Sequence, residues 1–157
     1  MAICWGRYIV KMMTLAEPRP RVTDSKFAYE LDVPTRYRDL DIMGWVHNSV
    51  LLVYVEEARM GYFHDVVDVP PDEMDGAIAR QEIDYMKAVE SFDAVTVRHR
   101  VTEIGNSSLT TRFEVKSDGQ IAASGDVTFI VLDESREPRT VPERWRRKIQ
   151  EFEQIMV

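Results

Sequence analysis

The feature that most constrains the fold is one helix-period segment, residues 48–67, with apolar side chains on almost every side. Its main stripe, at 3.6-residue spacing, comprises Leu51, Tyr54, Val55, Ala58, Tyr62 and Val66, and the remaining apolar positions are Leu52, Val53, Met60 and Phe63. A helix that is apolar all round is buried over most of its surface. We therefore expect the rest of the chain to wrap around this helix, which Pro70 and Pro71 end.

The segments on either side of this helix have the two-residue alternation of β-strands. One strand is predicted at 26–37, and Pro34 places it at an edge or breaks it, because proline cannot donate to the ladder. Four more are predicted at 77–88, 94–104, 108–116 and 120–132, the last with one face formed by Ile121, Ala123, Val127, Phe129 and Val131. The turn pairs Gly105-Asn106 and Asp118-Gly119 favour hairpins with positive φ.

A last helix begins at Pro142, and its apolar stripe comprises Trp145, Ile149, Phe152 and Met156. The order is one strand, one buried helix, four antiparallel strands and a terminal helix. This order predicts an α+β fold.

Length and composition indicate one globular domain in a chain of 157 residues. We expect residues 23–157 to form it and 1–22 to be a partly disordered extension, with Met12 or Met13 a candidate start. This extension lacks the basic and long apolar regions of a secretory signal, and no apolar run approaches the ~18 residues of a membrane span. Cys4, the single cysteine, cannot pair within the chain, so we expect a reducing, cytoplasmic location. The net charge of −7 disfavours nucleic acid as a partner.

The segment best suited to chemistry is the loop that leads into the buried helix. Asp39 and Asp41 are predicted to end a strand, Gly44 to turn the chain, and Asn48 or His47 to cap the helix, with Asn48 preferred. A carboxylate at such a junction faces a helix N-terminus, whose N–H groups can hold a developing oxyanion. Aspartate is also common in loops because it stabilises turns, so the residues alone leave both roles open.

Other polar groups near this loop have their own interpretations. Glu56 either pairs with Arg59 or reaches the site, because a carboxylate on a buried helix is costly unless it is paired. No second His, Cys or carboxylate accompanies Asp39, Asp41 and His47 at ligand spacing, so no metal site is predicted. No serine lies in a nucleophile elbow. A basic run is predicted to be the solvated face of the last helix: Arg144, Arg146, Arg147 and Lys148.

Residues 37–59 also contain a long motif, made by Tyr37, Asp39, Asp41, Gly44, Val46, Asn48, Tyr54, Glu56, Ala58 and Arg59. It resembles the signature of the 4-hydroxybenzoyl-CoA-thioesterase-like hot-dog proteins, which include acyl-CoA thioesterases. Similar features follow at 104–108, 118–119, 131–133, 138 and 141–143, so the resemblance covers roughly residues 26 to 153. Trp45 replaces the usual His, His47 replaces the first Asn of a pair, and Leu51 stands where an aromatic is common.

The resemblance implies a hot-dog fold, in which an antiparallel sheet of about five strands wraps around one central helix and a C-terminal helix is added. It also implies hydrolysis of acyl-CoA thioesters. By position, Asp41 is the nucleophile or general base, and Asp39 pairs with Arg38 or with an N–H of the turn. The predicted oxyanion and substrate contacts are Val46, His47, Asn48, Trp45, Glu56 and Tyr37.

The resemblance further implies that coenzyme A lies against one turn, formed by Gly105, Asn106, Ser107 and Ser108. Arg98, Arg100 or Arg112 would supply charge to the phosphates. No cofactor is implied, because coenzyme A is part of the substrate. A homodimer or a dimer of dimers is implied, with sites at the subunit boundary, and the edges of a lone sheet also favour such an assembly.

Two other functions stay open at this point. One is a hot-dog hydratase or dehydratase that pairs Asp41 with His47. The other is an acyl-CoA-binding module without catalysis.

Overall fold

The computed structural model describes residues 27–70, 73–90 and 93–154. The predicted extension 1–22, with Cys4, and the last stripe position, Met156, lie outside these residues. The strands are β1 Tyr29–Val33, β2 Gly76–Tyr85, β3 Val95–Ile104, β4 Ser108–Ser117 and β5 Gln120–Val131. The helices are α1 Asn48–Tyr62 and α2 Glu143–Glu153, with a 3-10 turn at Tyr37–Asp39 and a π-helical turn at Phe63–Val67.

The five strands form one antiparallel sheet in the order β1-β3-β4-β5-β2, which confirms the predicted strand number and pairing. The polypeptide crosses the sheet between β1 and β2, and α1 is part of that crossing. Both edges are therefore formed by the strands that flank α1 in sequence. None of the helices in the described part of the chain is long and apolar enough to cross a membrane.

One face of the sheet packs against α1 because alternate residues of β3 and β4 are apolar and buried. The first half of α1 packs near the start of β3, with Val33, Val95 and Val115. The end of α1 and its π-helical turn pack at the other end of the sheet, against Leu109 and Val131. Each large apolar side chain buried in this way contributes about 1.5–3 kcal/mol to folding.

The prediction that α1 is buried on nearly every side is wrong for a single chain. Val53 is 49% exposed and Met60 is 37% exposed. The sheet covers only one side of the helix, so these two apolar residues remain on the outer surface.

Two local predictions also need correction. Asp118 and Gly119 have positive φ, as predicted, but Gly105 and Asn106 do not, and a bond from Gly105 N to Ser108 O closes their turn. In β5 the register shifts at Ala122, which is buried, so the predicted inner-face residue Ile121 is exposed.

Strand β1 is an edge strand that ends at Val33, directly before Pro34, as expected. Asp39 and Asp41 consequently do not end a strand. They follow the break that Pro34 causes and belong to a turn and a loop.

Helix α2 docks through Trp145 and Ile149, which are buried. Its basic run is not simply a solvated face: Arg144 and Lys148 bond to Asp68, and Arg146 bonds to backbone carbonyls of other segments. Arg147 is exposed, and it is the one of the four basic residues that makes no hydrogen bond or ion pair within the residues described.

Candidate active site

The loop from Asp41 to Trp45 is closed by its own backbone. Asp41 N donates to Trp45 O at 2.7 Å, and Gly44 N donates to Asp41 O at 3.1 Å. Gly44 has a φ of 79°, the left-handed conformation that glycine adopts without strain. A bridge between Leu40 and Val46 completes a short antiparallel ladder. The loop therefore leads directly back into α1.

Asp41 uses one carboxylate oxygen to hold this loop. Its Oδ1 accepts from Met43 N at 2.8 Å and from Trp45 N at 3.1 Å. Its Oδ2 has no hydrogen-bond partner among the described residues, and the side chain is half-buried. The neighbouring Ile42 and Met43 are exposed apolar residues. Asp41 thus presents one unengaged oxygen beside an apolar surface.

Asp39 has a different environment and is only 6% exposed. Its Oδ2 accepts from the Tyr54 hydroxyl at 2.7 Å and from Arg36 N at 2.9 Å. Burial by itself would raise the pKa of Asp39, but these hydrogen bonds and the charges of Arg36 and Arg38 bring the pKa below its ordinary value. The predicted bond to an N–H of the turn is present, and Tyr54 is a partner that the sequence reasoning missed.

The N-terminus of α1 is capped by His47, one of the two predicted candidates, rather than by the preferred Asn48. His47 Nδ1 accepts from Ser49 N at 3.2 Å. The Val46 and His47 N–H groups already donate to Val89 O and Asp39 O. Of the three predicted oxyanion donors, only Asn48 N has no partner among the described residues. The N–H group that stays free at this helix N-terminus in one chain is therefore that of Asn48.

The ladder sets the spacing between Asp41 and this donor. Leu40 pairs with Val46, and His47 N, next to the start of α1, bonds to Asp39 O. Asp41 is therefore two residues along the chain from the residue that bonds to the helix N-cap. Two extended residues span about 6.6 Å.

The remaining predicted substrate contacts lie further out. Glu56 Oε1 pairs with Arg59 at 3.0 Å and its side chain is 62% exposed, so the pairing alternative is confirmed. It lies about 12 Å along α1 from Asn48. Tyr37 is almost fully exposed, and Trp45 is half-buried in a bridge with Glu90. The Tyr85 hydroxyl donates to Asn48 O at 3.2 Å, a contact from β2 that the sequence did not suggest.

The predicted coenzyme A turn, residues 105–108, does not lie beside Asp41 in the same chain. Val95, the first residue of β3, is at the Asp41 end, because Val46 and Val95 belong to one apolar cluster. The turn follows the last residue of β3, and ten residues of strand span about 33 Å. The two predicted parts of the site therefore lie at opposite ends of the sheet.

The three arginines predicted to serve the phosphates all pair with carboxylates. Arg98 contacts Glu30 and Glu114, Arg100 contacts Glu153, and Arg112 makes two bonds to Asp126. The Asp126 hydrogen bond also raises the pKa of Arg112. These charges are balanced within the chain.

No three His, Cys, Asp or Glu side chains of residues 27–70, 73–90 and 93–154 are grouped closely enough to hold a metal ion. A cleft of about 720 Å³ lies at the α2 end of the molecule, lined by residues that include Asp75, Asp133, Arg139 and Arg144. None of the predicted site residues lines it. In the Asp41 loop, Ile42 and Met43 are exposed.

Comparison with known proteins identifies the family. The model of the thioesterase-like superfamily matches residues 35–149, which include the Asp41 loop, α1 and four of the strands. This chain belongs to that superfamily. The predicted hot-dog fold and the predicted class of enzyme, a thioester hydrolase, are confirmed.

Two similar solved structures are those of a thioesterase and a predicted thioesterase. A thioesterase from Thermus thermophilus, in a crystal structure with coenzyme A and Zn, is 32% identical with a TM-score of 0.76, over 83% of this chain and 98% of that one. A predicted thioesterase from Bacillus stearothermophilus is 25% identical with a TM-score of 0.73, over 79% and 95% of the two chains. The Bacillus subtilis (strain 168) protein YsmA is 23% identical over 108 residues, 68% of this chain and 74% of YsmA.

Proposed function

We propose that this superfamily member hydrolyses acyl-CoA thioesters to the free acid and coenzyme A, with Asp41 as the catalytic carboxylate. The observation that carries the proposal is the unengaged Oδ2 of Asp41, in a loop whose other end is the N-terminus of α1. The similarity to a thioesterase crystallised with coenzyme A supports the choice of thioester.

Two reaction routes use the same oxygen. As a nucleophile, Asp41 Oδ2 attacks the thioester carbon and expels the coenzyme A thiolate, and water then hydrolyses the mixed anhydride. As a general base, it takes a proton from the water that attacks the same carbon; the tetrahedral intermediate then expels the coenzyme A thiolate, which takes up the proton. In both routes the negative charge forms on the carbonyl oxygen, and the Asn48 N–H at the helix N-terminus stabilises it.

The site is completed by a second copy of the chain. The outer edge of β2 pairs with no other strand in the described residues, and two exposed apolar side chains, Ile78 and Tyr85, belong to this strand. Such an edge is covered in soluble proteins. Two β2 strands that pair antiparallel about a twofold axis bring the Tyr85 end of one next to the Gly76 end of the other.

This pairing also brings the 105–108 turn close to the Asp41 loop, although the two lie at opposite ends of the sheet within one chain. Gly76 pairs with Val131, and Val131 N donates to Ser107 O, so the 105–108 turn belongs to the Gly76 end of the sheet. In the dimer, the turn of one subunit lies on the same side as Asp41 of the other. Coenzyme A then reaches from the turn of one subunit to the Asp41 loop of its partner.

The first test is thiol release from a panel of acyl-CoA substrates of different chain length, including aromatic ones. Wild-type protein should release stoichiometric thiol and free acid. Inhibition by free coenzyme A should weaken as salt increases, because its phosphates are recognised partly by charge. Thioester binding without any thiol release would refute the proposal and favour the binding module.

The hydratase alternative is tested with the same protein. It requires Asp41 and His47 to act together, but the His47 ring faces Ser49, and no hydrogen bond joins it to Asp41 in the described structure. We expect enoyl-CoA absorbance to be lost no faster than thiol is released. Faster loss of the enoyl absorbance would favour the hydratase.

The shared site is tested by mixing two inactive chains. A Gly105→Val side chain would clash with Ser108 Oγ, since even a Cβ at Gly105 lies 2.6 Å from it, and the turn would distort. Co-expression of Asp41→Asn with Gly105→Val creates one intact site per mixed dimer if the site is shared. Hydrolysis of acyl-CoA with a KM near that of wild type should return. Activity no greater than that of the separate variants would place the whole site in one chain.

A further inference from the structure

The turn of residues 105–108 is held by an arginine that the sequence interpretation assigned to solvent. The Arg146 guanidinium donates through Nη2 to Gly105 O and, at 3.0 Å, to Asn106 O. Its Nε donates to Val141 O at 3.3 Å. One planar group therefore joins the turn to the start of α2, which the fixed donor geometry of arginine favours.

Backbone hydrogen bonds to the carbonyls of the turn also hold it against the rest of the protein. Asn106 O also accepts from Val141 N at 2.8 Å, and Ser107 O accepts from Val131 N at 2.9 Å. Three consecutive carbonyls are thus used inside the protein. The N–H groups of Asn106 and Ser107 have no partner among the described residues, and they remain for an acceptor from outside the chain.

Arg146 also differs from its basic neighbours in charge balance. Arg144 and Lys148 pair with Glu73 and Asp68, as the three sheet arginines pair with their own carboxylates. Arg146 contacts only carbonyl oxygens and forms no ion pair within the described residues. Its positive charge, next to two unused N–H donors, is uncompensated.

We propose that Arg146 is the positioning residue of the coenzyme A site. It holds the Gly105–Ser108 turn with the Asn106 and Ser107 N–H groups directed outward, and its charge favours a phosphate at that position. This inference rests on the proposed function, because it assumes that the turn binds coenzyme A. It replaces Arg98, Arg100 and Arg112 as the source of the uncompensated charge.

The test compares two thioesters of one acyl group, acyl-CoA and acyl-N-acetylcysteamine, which lacks the nucleotide and cannot reach the turn. For Arg146→Gln we expect at least about a tenfold rise in KM for acyl-CoA, equivalent to about 1.4 kcal/mol of binding. Its kcat should stay within about twofold of wild type. Kinetics on the short thioester should not change. Arg147→Gln is the matched control, because it removes the same charge from an exposed position of the same helix.

Arg146→Lys keeps the charge but cannot donate to two carbonyls at once as the guanidinium does. Its KM for acyl-CoA should therefore lie between those of wild type and Arg146→Gln. This variant serves if Arg146→Gln does not fold, which circular dichroism would reveal. An equal loss on both thioesters would overturn the inference, because Arg146 would then support only the fold. An unchanged KM for acyl-CoA in folded Arg146→Gln and Arg146→Lys would also overturn it.

The two proposals fail in different ways. If wild-type protein releases no thiol from either thioester, the proposed function fails and the inference fails with it. If wild type hydrolyses acyl-CoA and the Arg146 variants behave like Arg147→Gln, only the inference fails.

Discussion

The sharpest prediction concerns Asp41→Asn, which should abolish catalysis while the loop stays folded. Asp41 Oδ1 accepts from Met43 N and Trp45 N, and the amide oxygen of asparagine can accept both bonds. Both bonds are exposed or only partly buried, so each weakens by less than a buried bond would when the acceptor becomes neutral, and the change costs the fold about 1 kcal/mol in total. The oxygen that is lost is Oδ2, which makes no hydrogen bond in the described structure and which we propose as the catalytic oxygen. Loss of a positioned base costs about 10²–10⁴ in rate.

Asp39→Asn is the matched control with the opposite outcome. Asp39 is buried, and its Oδ2 accepts from both Tyr54 and Arg36. Each of these bonds to a charged acceptor weakens by about 1 kcal/mol when the acceptor becomes neutral, so the variant should lose about 2 kcal/mol of unfolding free energy. Because the folded pKa of Asp39 is lowered, this stabilisation is present above its unfolded pKa and is lost as pH falls through the folded value. Its kcat/KM should stay near wild type.

The assay is steady-state thiol release by both variants on one good acyl-CoA, with urea unfolding followed by circular dichroism. The expected pattern is a stable, inactive Asp41→Asn and a destabilised, active Asp39→Asn. If Asp41→Asn stays folded and retains about a third of wild-type kcat/KM, far above the loss expected for a catalytic base, the reasoning is refuted. The reversed pattern would assign the chemistry to Asp39.

Further perturbations test the core and the assembly. Burial, aided by the charge of Arg59, lowers the pKa of His99 to about 3. Below about pH 6.5, His99 is therefore neutral in the folded protein but protonated in the unfolded chain. Wild-type unfolding free energy, measured in urea, should therefore fall by up to about 1.4 kcal/mol per pH unit below that value, and His99→Phe should remove this slope. Gly125→Ala should cost about 3 kcal/mol of unfolding free energy in the same assay, because a Cβ there would lie 1.9 Å from Glu82 O; unchanged stability would contradict the register of β2 and β5. Val53→Glu with Met60→Glu places charge on the exposed face of α1 and should shift light scattering from dimer to monomer with loss of activity; an intact dimer would exclude this face from the interface.

The sequence alone predicted the elements and their order. Alternation of valines with polar residues in β3 and β4, the apolar stripe of α1 and the break at Pro34 are local patterns, and each has one structural solution. The long motif from Tyr37 to Arg59 also identified the loop that carries Asp41. The structure agrees with these predictions because each depends on residues that are close together in the chain.

Other outcomes depended on contacts between distant segments. The bulge at Ala122 and the exposed side of α1 are set by how the sheet pairs and what it covers, which periodicity does not encode. His47 caps α1 because the ladder to Asp39 fixes its backbone. Asp39 and Asp41 look alike in sequence, and only the Tyr54 hydroxyl, fifteen residues on, separates a buried structural carboxylate from an open one.

The same distinction applies to the basic residues. Charge and alternation indicated Arg98, Arg100 and Arg112, but cross-strand and helix carboxylates neutralise all three. Arg146 belongs to a run that is typical of a solvated helix face, yet tertiary packing places it against a turn forty residues earlier in the chain. Sequence determined which residues carry charge and where the strands begin and end. Tertiary structure decided which of those charges are already paired, because pairing depends on distance in space rather than along the chain.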